Sequence, residues 1–166
     1  MKPPFRIGLG FDIHRMAEGR PCILGGVTIP HSHGPDGHSD ADVLCHAIAD
    51  AILGAAGLAD IGHYFPNTDP ACAGMDSLKI VSRAVKLAAE EGYEIGNIDA
   101  SLIAEAPKIG PHLTAMKARL GEALGITPGQ IGLKATTNEK LDDIGNHLGI
   151  AAHAVCLLIA GNPSDQ

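Results

Sequence analysis

Apolar and polar positions divide the chain into alternating strand-like and helix-like stretches. Phe5–Asp12 reads as a first strand, interrupted by Gly8 and Gly10. Glycines at such positions allow a close backbone approach, which suits a ligand lying near the main chain. Cys22–Ile29 reads as a second strand broken by Gly25-Gly26, and Pro30–Gly37 as a turn-rich loop long enough to move. Val43, Leu44, Ala47, Ile48, Ala51 and Ile52 then recur with helical spacing, predicting a helix through about Leu53. Ser39 is its expected N-cap, with Asp42 completing a capping box. Asp60–Asp69 is loop-like, and Asp76–Glu91 forms an amphipathic helix ended by Gly92.

Asn97–Ala104 predicts a third strand, followed by a loop bracketed by Pro107 and Pro111. A helix from about Pro111 to Leu124 comes next, then a turn at Thr127–Gln130 and a strand at Ile131–Thr136. Gly149–Ala160 is apolar at both alternating sets of positions and reads as a central strand covered on both faces. Strands mixed with helices of crossover length predict an α+β (α/β sandwich) fold, a mixed sheet with helices on one face. No repeat or linker divides it, so residues 1–166 are read as a single domain.

Composition narrows the function classes. At 166 residues the chain can bury one substantial core, and its net charge of −7 argues against a nucleic-acid footprint. Aromatic residues are 3% with no Trp, so base-stacking platforms are poorly supplied. The four cysteines show no CxxC spacing and read as buried free thiols of a reducing compartment. Neither a signal peptide nor a membrane-length apolar run is apparent, so no membrane association is expected and a cytoplasmic location is.

Candidate chemistry begins at Gly8-Leu9-Gly10-Phe11-Asp12-Ile13-His14. Strand side chains alternate, so Asp12 and His14 point the same way and could grip one cation. If the first helix packs over that strand end, His46 completes a three-ligand set with an open fourth position, the pattern of a catalytic zinc site. Asp42, His46 and Asp50 recur every four residues on one helix face, so Asp42 or Asp50 could accept from an imidazole N–H. His38 and Ser39, placed at the helix N-terminus, suggest a phosphate cradle. Lys134–Lys140 offers two hydroxyls and a carboxylate to phosphate and a hard divalent cation. Each motif alone has a plainer reading: two solvated side chains at a strand end for Asp-x-His, a simple cap for Ser39, a Thr/Asn turn for 136–139. A zinc hydrolase with Asp50 or Asp60 as base, and a non-catalytic metal-stabilised trimer, both remain compatible with the residues.

Five blocks together resemble the 2-C-methyl-D-erythritol 2,4-cyclodiphosphate synthase family. They are Gly10–His14; Ser39–Ala47; Asp60-Ile61-Gly62 with Phe65–Asp69; Ala104–Lys108; and Lys134–Leu141. The resemblance implies a homotrimer with active sites at subunit boundaries. Zinc would be held by Asp12, His14 and His46. The substrate would be 4-diphosphocytidyl-2-C-methyl-D-erythritol 2-phosphate, whose 2-phosphate attacks the β-phosphate and expels CMP. His38 and Ser39 would hold the attacking phosphate, and His38 with Thr137 would steady the transition state. Asp60, Ile61, Gly62, Phe65, Asn67 and Asp69 would hold the erythritol part. Ala104, Ala106, Pro107, Lys108, Ile109 and Gly110, with Thr136, would frame the cytidine from a neighbouring subunit, and Glu139 would ligate Mg²⁺ or Mn²⁺. The chain departs from the family pattern at 142–146, reading Asp-Asp-Ile-Gly-Asn where many relatives have Gly-Phe-Thr-Gly-Arg. Asp143 and Asn146 cannot supply the aromatic and guanidinium groups that face the trimer axis there. Asn67 replaces a common Asp, and Leu9 a His found in some relatives.

Overall fold

The computed structural model describes residues 3–161. Its main sheet has five strands: β1 (Phe5–Glu18), β4 (His33–Asp36), β5 (Tyr93–Ile103), β6 (Ile131–Thr136) and β7 (Gly149–Ala160). They lie in the order β4-β1-β7-β5-β6, antiparallel except for the β5–β6 pair. A separate hairpin pairs β2 (Cys22–Leu24) with β3 (Val27–Ile29). The helices are α1 (Val43–Ala56), α2 (Ile61–Tyr64), α3 (Ser77–Glu90), α4 (Leu113–Leu124) and α5 (Asp142–Gly145). The predicted mixed sheet with helices on one face is the observed architecture.

Helix α1 lies directly on the sheet because β1 presents glycine to it. A Cβ at Gly8 would stand 1.9 Å from the Ala51 carbonyl oxygen, and one at Gly10 1.8 Å from that of Ala47. These glycines serve helix docking, so the expected ligand approach is corrected. Twelve of the fourteen α1 residues are buried. Each fully buried Leu or Ile contributes about 1.5–3 kcal/mol, so this contact is the centre of the core. Among the described residues no helix is long and apolar enough to cross a membrane.

Several boundaries differ from expectation. Strand β1 continues through Glu18, which puts Asp12 and His14 inside the strand instead of at its end. The Gly25-Gly26 break is a tight turn with both residues at positive φ, 56° and 71°, so the predicted second strand folds into a hairpin. The predicted Pro30–Gly37 loop contains β4, paired to Arg15–Glu18. Pro35 is tolerated there because β4 is an edge strand, and Gly34 because a Cβ would sit 2.1 Å from the Pro21 carbonyl oxygen.

Strand β7 is central, as expected, but its second face is largely open, with Ala151 its one buried side chain there. Its inner residues Ile150, Ala152, Ala154, Cys156 and Leu158 are buried under the helices, whereas His153 and Val155 are exposed. The same outer face carries Phe5, Ile7, Leu9, Phe11 and Ile13, each at least half exposed. Leu9 therefore stands on the sheet face opposite the helices.

Candidate active site

Asp12 and His14 extend from the inner face of β1, two residues along from Gly10, and α1 brings His46 over them. His46 Nδ1 lies 3.0 Å from Asp12 Oδ2, and His14 Nδ1 lies 3.0 Å from the same oxygen. The second contact does not follow a hydrogen-bond direction, so His14 Nδ1 is buried without a hydrogen-bonding partner. The imidazole rings are 5.3 Å apart. One oxygen and two nitrogens thus converge, one of them orphaned, in a set that could hold a metal ion. Two imidazoles and a carboxylate suit zinc in its open, catalytic form. The three-residue set predicted from sequence is therefore brought together.

Electrostatics bind the cluster further. Burial would raise the Asp12 carboxyl, but its interactions with His14 and His46 outweigh this and hold it below the ordinary range. For His46, burial works against the charged form, yet Asp12, with Asp42 and Asp40 farther off, keeps the imidazole above its ordinary value. Gly37 makes room for the ring of His14: a Cβ there would lie 2.8 Å from His14 Nε2. Sequence reasoning missed Gly37, and only the close approach shows its part.

The start of α1 corrects three expectations. Asp42, not Ser39, is the N-cap; its carboxylate accepts from Leu44 and Cys45 N–H at 3.2 and 3.1 Å. It also accepts from Gly26 N–H at 2.8 Å and the Cys45 thiol at 3.2 Å, tying the hairpin to the helix. Burial raises its pKa despite these backbone donors. The cap thus takes the Leu44 and Cys45 amides that the expected helix-terminal phosphate cradle would have used. Asp42 does not accept from His46, and neither does Asp50, whose Oδ1 takes the Ile61 N–H at 2.8 Å. The groups at His46 Nε2 are the hydroxyls of Ser77 at 2.9 Å and Ser39 at 3.1 Å.

A cavity of ≈ 350 Å³ opens over the cluster. Asp12, His14, His38, Ser39, His46, Ile61, Gly62, Phe65 and Asn67 line it, joined by Gly37 and Met75. Asp60 and Asp69 support its wall instead of lining it. Asp60 caps α2 by accepting from His63 N–H, and Asp69 caps the turn at Pro70–Cys72. The Asp69 carbonyl also lies 3.3 Å from His38 Nε2.

The remaining predicted residues gather elsewhere. Ala104, Pro107, Lys108, Ile109, Gly110, Thr136 and Thr137 line a second cavity of ≈ 400 Å³ at the ends of β5 and β6. Ala106 faces a third, beside Met16 and His147. The loop after β6 is held by Glu105, whose Oε1 accepts from Asn138 and Lys140 N–H at 3.0 and 3.1 Å. Glu139 sits at φ 52°, and its carboxylate accepts from the Thr137 hydroxyl at 3.2 Å. The first two cavities share no lining residue, so one chain does not bring His38 and Thr137 together. Strand β7, with α1 packed on its fully buried Ile150 and Ala152, separates them.

Comparison with known proteins settles the family. The YgbB family matches residues 5–159. This chain belongs to it. The 2-C-methyl-D-erythritol 2,4-cyclodiphosphate synthase of Synechococcus elongatus is 58% identical over 155 residues, covering 93% of this chain and 97% of that protein. Among solved structures, the CDP complex of IspF from Plasmodium falciparum superposes with TM-score 0.84 at 36% identity, over 98% of this chain and all of that one. The bifunctional IspDF of Campylobacter jejuni gives TM-score 0.91 at 39% identity, over 95% of this chain; this chain spans 43% of that longer protein.

Proposed function

We infer that this chain catalyses the reaction its relatives are named for, and that the converging Asp12, His14 and His46 atoms carry the chemistry. It is a lyase of the non-mevalonate isoprenoid pathway. It cyclises 4-diphosphocytidyl-2-C-methyl-D-erythritol 2-phosphate to 2-C-methyl-D-erythritol 2,4-cyclodiphosphate and releases CMP. The nucleophile belongs to the substrate, so no Ser/His/Asp machinery is needed. What must be overcome is repulsion between a phosphate and a diphosphate, and positioning with charge neutralisation supplies that.

Asp12, His14 and His46 would hold zinc, which when bound polarises a phosphoryl oxygen and offsets its charge. His38 and Ser39 stand beside the cluster and would orient the attacking phosphate, with Thr137 and His38 steadying the transition state. Ile61, Gly62, Phe65 and Asn67 would enclose the erythritol part, backed by Asp60 and Asp69. Ala104, Ala106 and Pro107–Gly110, with Thr136, would take the cytidine, and Glu139 would hold Mg²⁺ or Mn²⁺ against the diphosphate. The CDP complex of the Plasmodium relative supports a cytidine diphosphate-linked ligand here.

We assign the working form as a homotrimer in which the cytidine cavity of one subunit serves the metal cluster of the next. Two observations support this: the cavities are separate within one chain, and β1 and β7 present a broad apolar outer face. The four free, buried cysteines are in keeping with a reducing cytoplasm. The test is to supply the cytidylyl substrate with and without zinc. Cyclic diphosphate and CMP are the expected products; a linear bisphosphate with CMP would indicate a hydrolase.

A further inference from the structure

We propose that Ser77 and Asp40 are positioning residues that fix the tautomer of His46, so that its Nδ1 lone pair faces the metal position. The inference rests on the metal reading above and follows from counting donors. The Asp40 carboxylate receives the Ser77 hydroxyl and the Asp42 N–H (3.1 Å) on Oδ1, and the Ser77 N–H (3.0 Å) on Oδ2. Asp40 N–H itself donates to the Met75 carbonyl, pinning the loop to the start of α3. A carboxylate supplied with three donors is an acceptor only, and a serine hydroxyl has one hydrogen. That hydrogen goes to Asp40, so Ser77 Oγ meets His46 Nε2, 2.9 Å away, as an acceptor. The proton of neutral His46 is therefore on Nε2, which leaves Nδ1 unprotonated, 3.0 Å from Asp12 Oδ2.

Burial makes the arrangement a fixed one. Ser77 is fully buried and does not line the cavity, so its hydroxyl cannot turn to substrate or bulk water. Ser39 does line the cavity, and its Oγ accepts the Ala41 N–H at 3.1 Å. Because Nε2 carries the imidazole proton, the Ser39 hydroxyl hydrogen has no acceptor on the ring; it faces Ser77 Oγ at 3.5 Å, a long contact that a phosphate oxygen in the cavity can replace. Two serines on one imidazole nitrogen thus divide the work, the buried one orienting the ring and the lining one facing substrate. Outer partners of metal-bound histidines act in this way in general, setting ring orientation and ligand basicity.

The experiment is zinc affinity, measured by chelator competition on the assembled protein, together with the visible spectrum of the cobalt-loaded form. Ser77→Ala and Asp40→Asn should each weaken zinc binding by about 10–100-fold and shift the cobalt spectrum. The double variant should lose little more than either single one, and Ser77→Thr, which keeps the hydroxyl, should recover most of the affinity. Wild-type affinity and spectrum in Ser77→Ala would overturn the proposal. A wild type whose zinc binding is indifferent to His46→Ala would overturn the metal reading, and the relay with it. Should Ser77→Ala not fold, imidazole ¹H–¹⁵N correlations of the metal-free wild type, recorded at a pH where His46 is neutral, decide: a proton on Nε2 supports the relay, one on Nδ1 overturns it.

Discussion

The metal cluster and the cytidine cavity are built on different principles. Asp12, His14 and His46 stand on a strand and a helix locked together by glycine-to-backbone contacts, and Ser77, which meets His46 Nε2, is fully buried. Residues 104–110 and 136–139 stand at the end of β6 and on the loops after β5 and β6, braced mainly by Glu105. The first region must hold three atoms to a fraction of an ångström, which rigid elements do best. The second, proposed to take the cytidine, is a loop-lined, open cavity of the kind that lets a ligand enter and leave. The candidate metal cluster is preformed in one chain, while the cavity at the ends of β5 and β6 lies apart from it.

Removing a ligand from the rigid half should have the largest effect. His46→Ala should cut turnover by about three orders of magnitude, the several kcal/mol that charge stabilisation by a metal provides. Steady-state kinetics and zinc content check this together; near-normal turnover would place the chemistry elsewhere. Gly10→Ala should follow. A methyl group driven against the Ala47 carbonyl must push α1 off the sheet, costing about 1–3 kcal/mol or more by overpacking. Its melting temperature and zinc affinity should fall together, whereas an equally destabilising change far from α1 should spare zinc.

Acidity separates the metal-bound from the metal-free state. Zinc needs neutral imidazole, and Asp12 holds His46 above its ordinary value of 6.5, so protons compete strongly. Zinc retention should therefore drop between about pH 7 and 5, as equilibrium dialysis would show. Without metal the sign reverses. A raised His46 pKa adds stability that is full below 6.5 and is lost as pH rises through the raised value. The lowered Asp12 pKa adds stability present above 3.8 and lost as pH falls through the lowered value. The metal-free protein should thus keep this contribution across the range in which zinc leaves. The smallest effect belongs to the loop half: Lys108→Ala should raise KM about tenfold and leave zinc affinity unchanged. Loss of zinc in that variant would erase the distinction between the two regions.

Much of the rigid half was legible in the chain. Strand alternation put Asp12 and His14 on one side, and helical periodicity placed His46 on an element able to cover them. What decides the geometry was not legible. Gly8 and Gly10 read as breaks, yet they set how close α1 comes. Ser77 meets His46 from 31 residues away, and Asp40 meets Ser77 across 37, separations no local pattern encodes. Strand β4 was hidden because its His33-Gly34-Pro35-Asp36 carries turn residues; its edge position makes them acceptable. The short α5 at Asp142–Gly145 has too few residues for any periodicity. The second face of β7 looked like core because its residues are apolar, and composition alone does not tell an apolar face left open by its own chain from one buried within it.

Subunit complementation tests the shared site most directly. One variant lacks the metal ligand, His46→Ala, and the other has its cytidine cavity blocked by Ala104→Trp. Each alone should be inactive. Unfolded together, mixed in equal amounts and refolded, they should recover about a quarter of wild-type activity, since a random trimer pairs an intact cluster with an intact neighbouring cavity at one boundary in four. Activity that stays absent in mixed trimers shown to have formed would contradict a site shared between subunits.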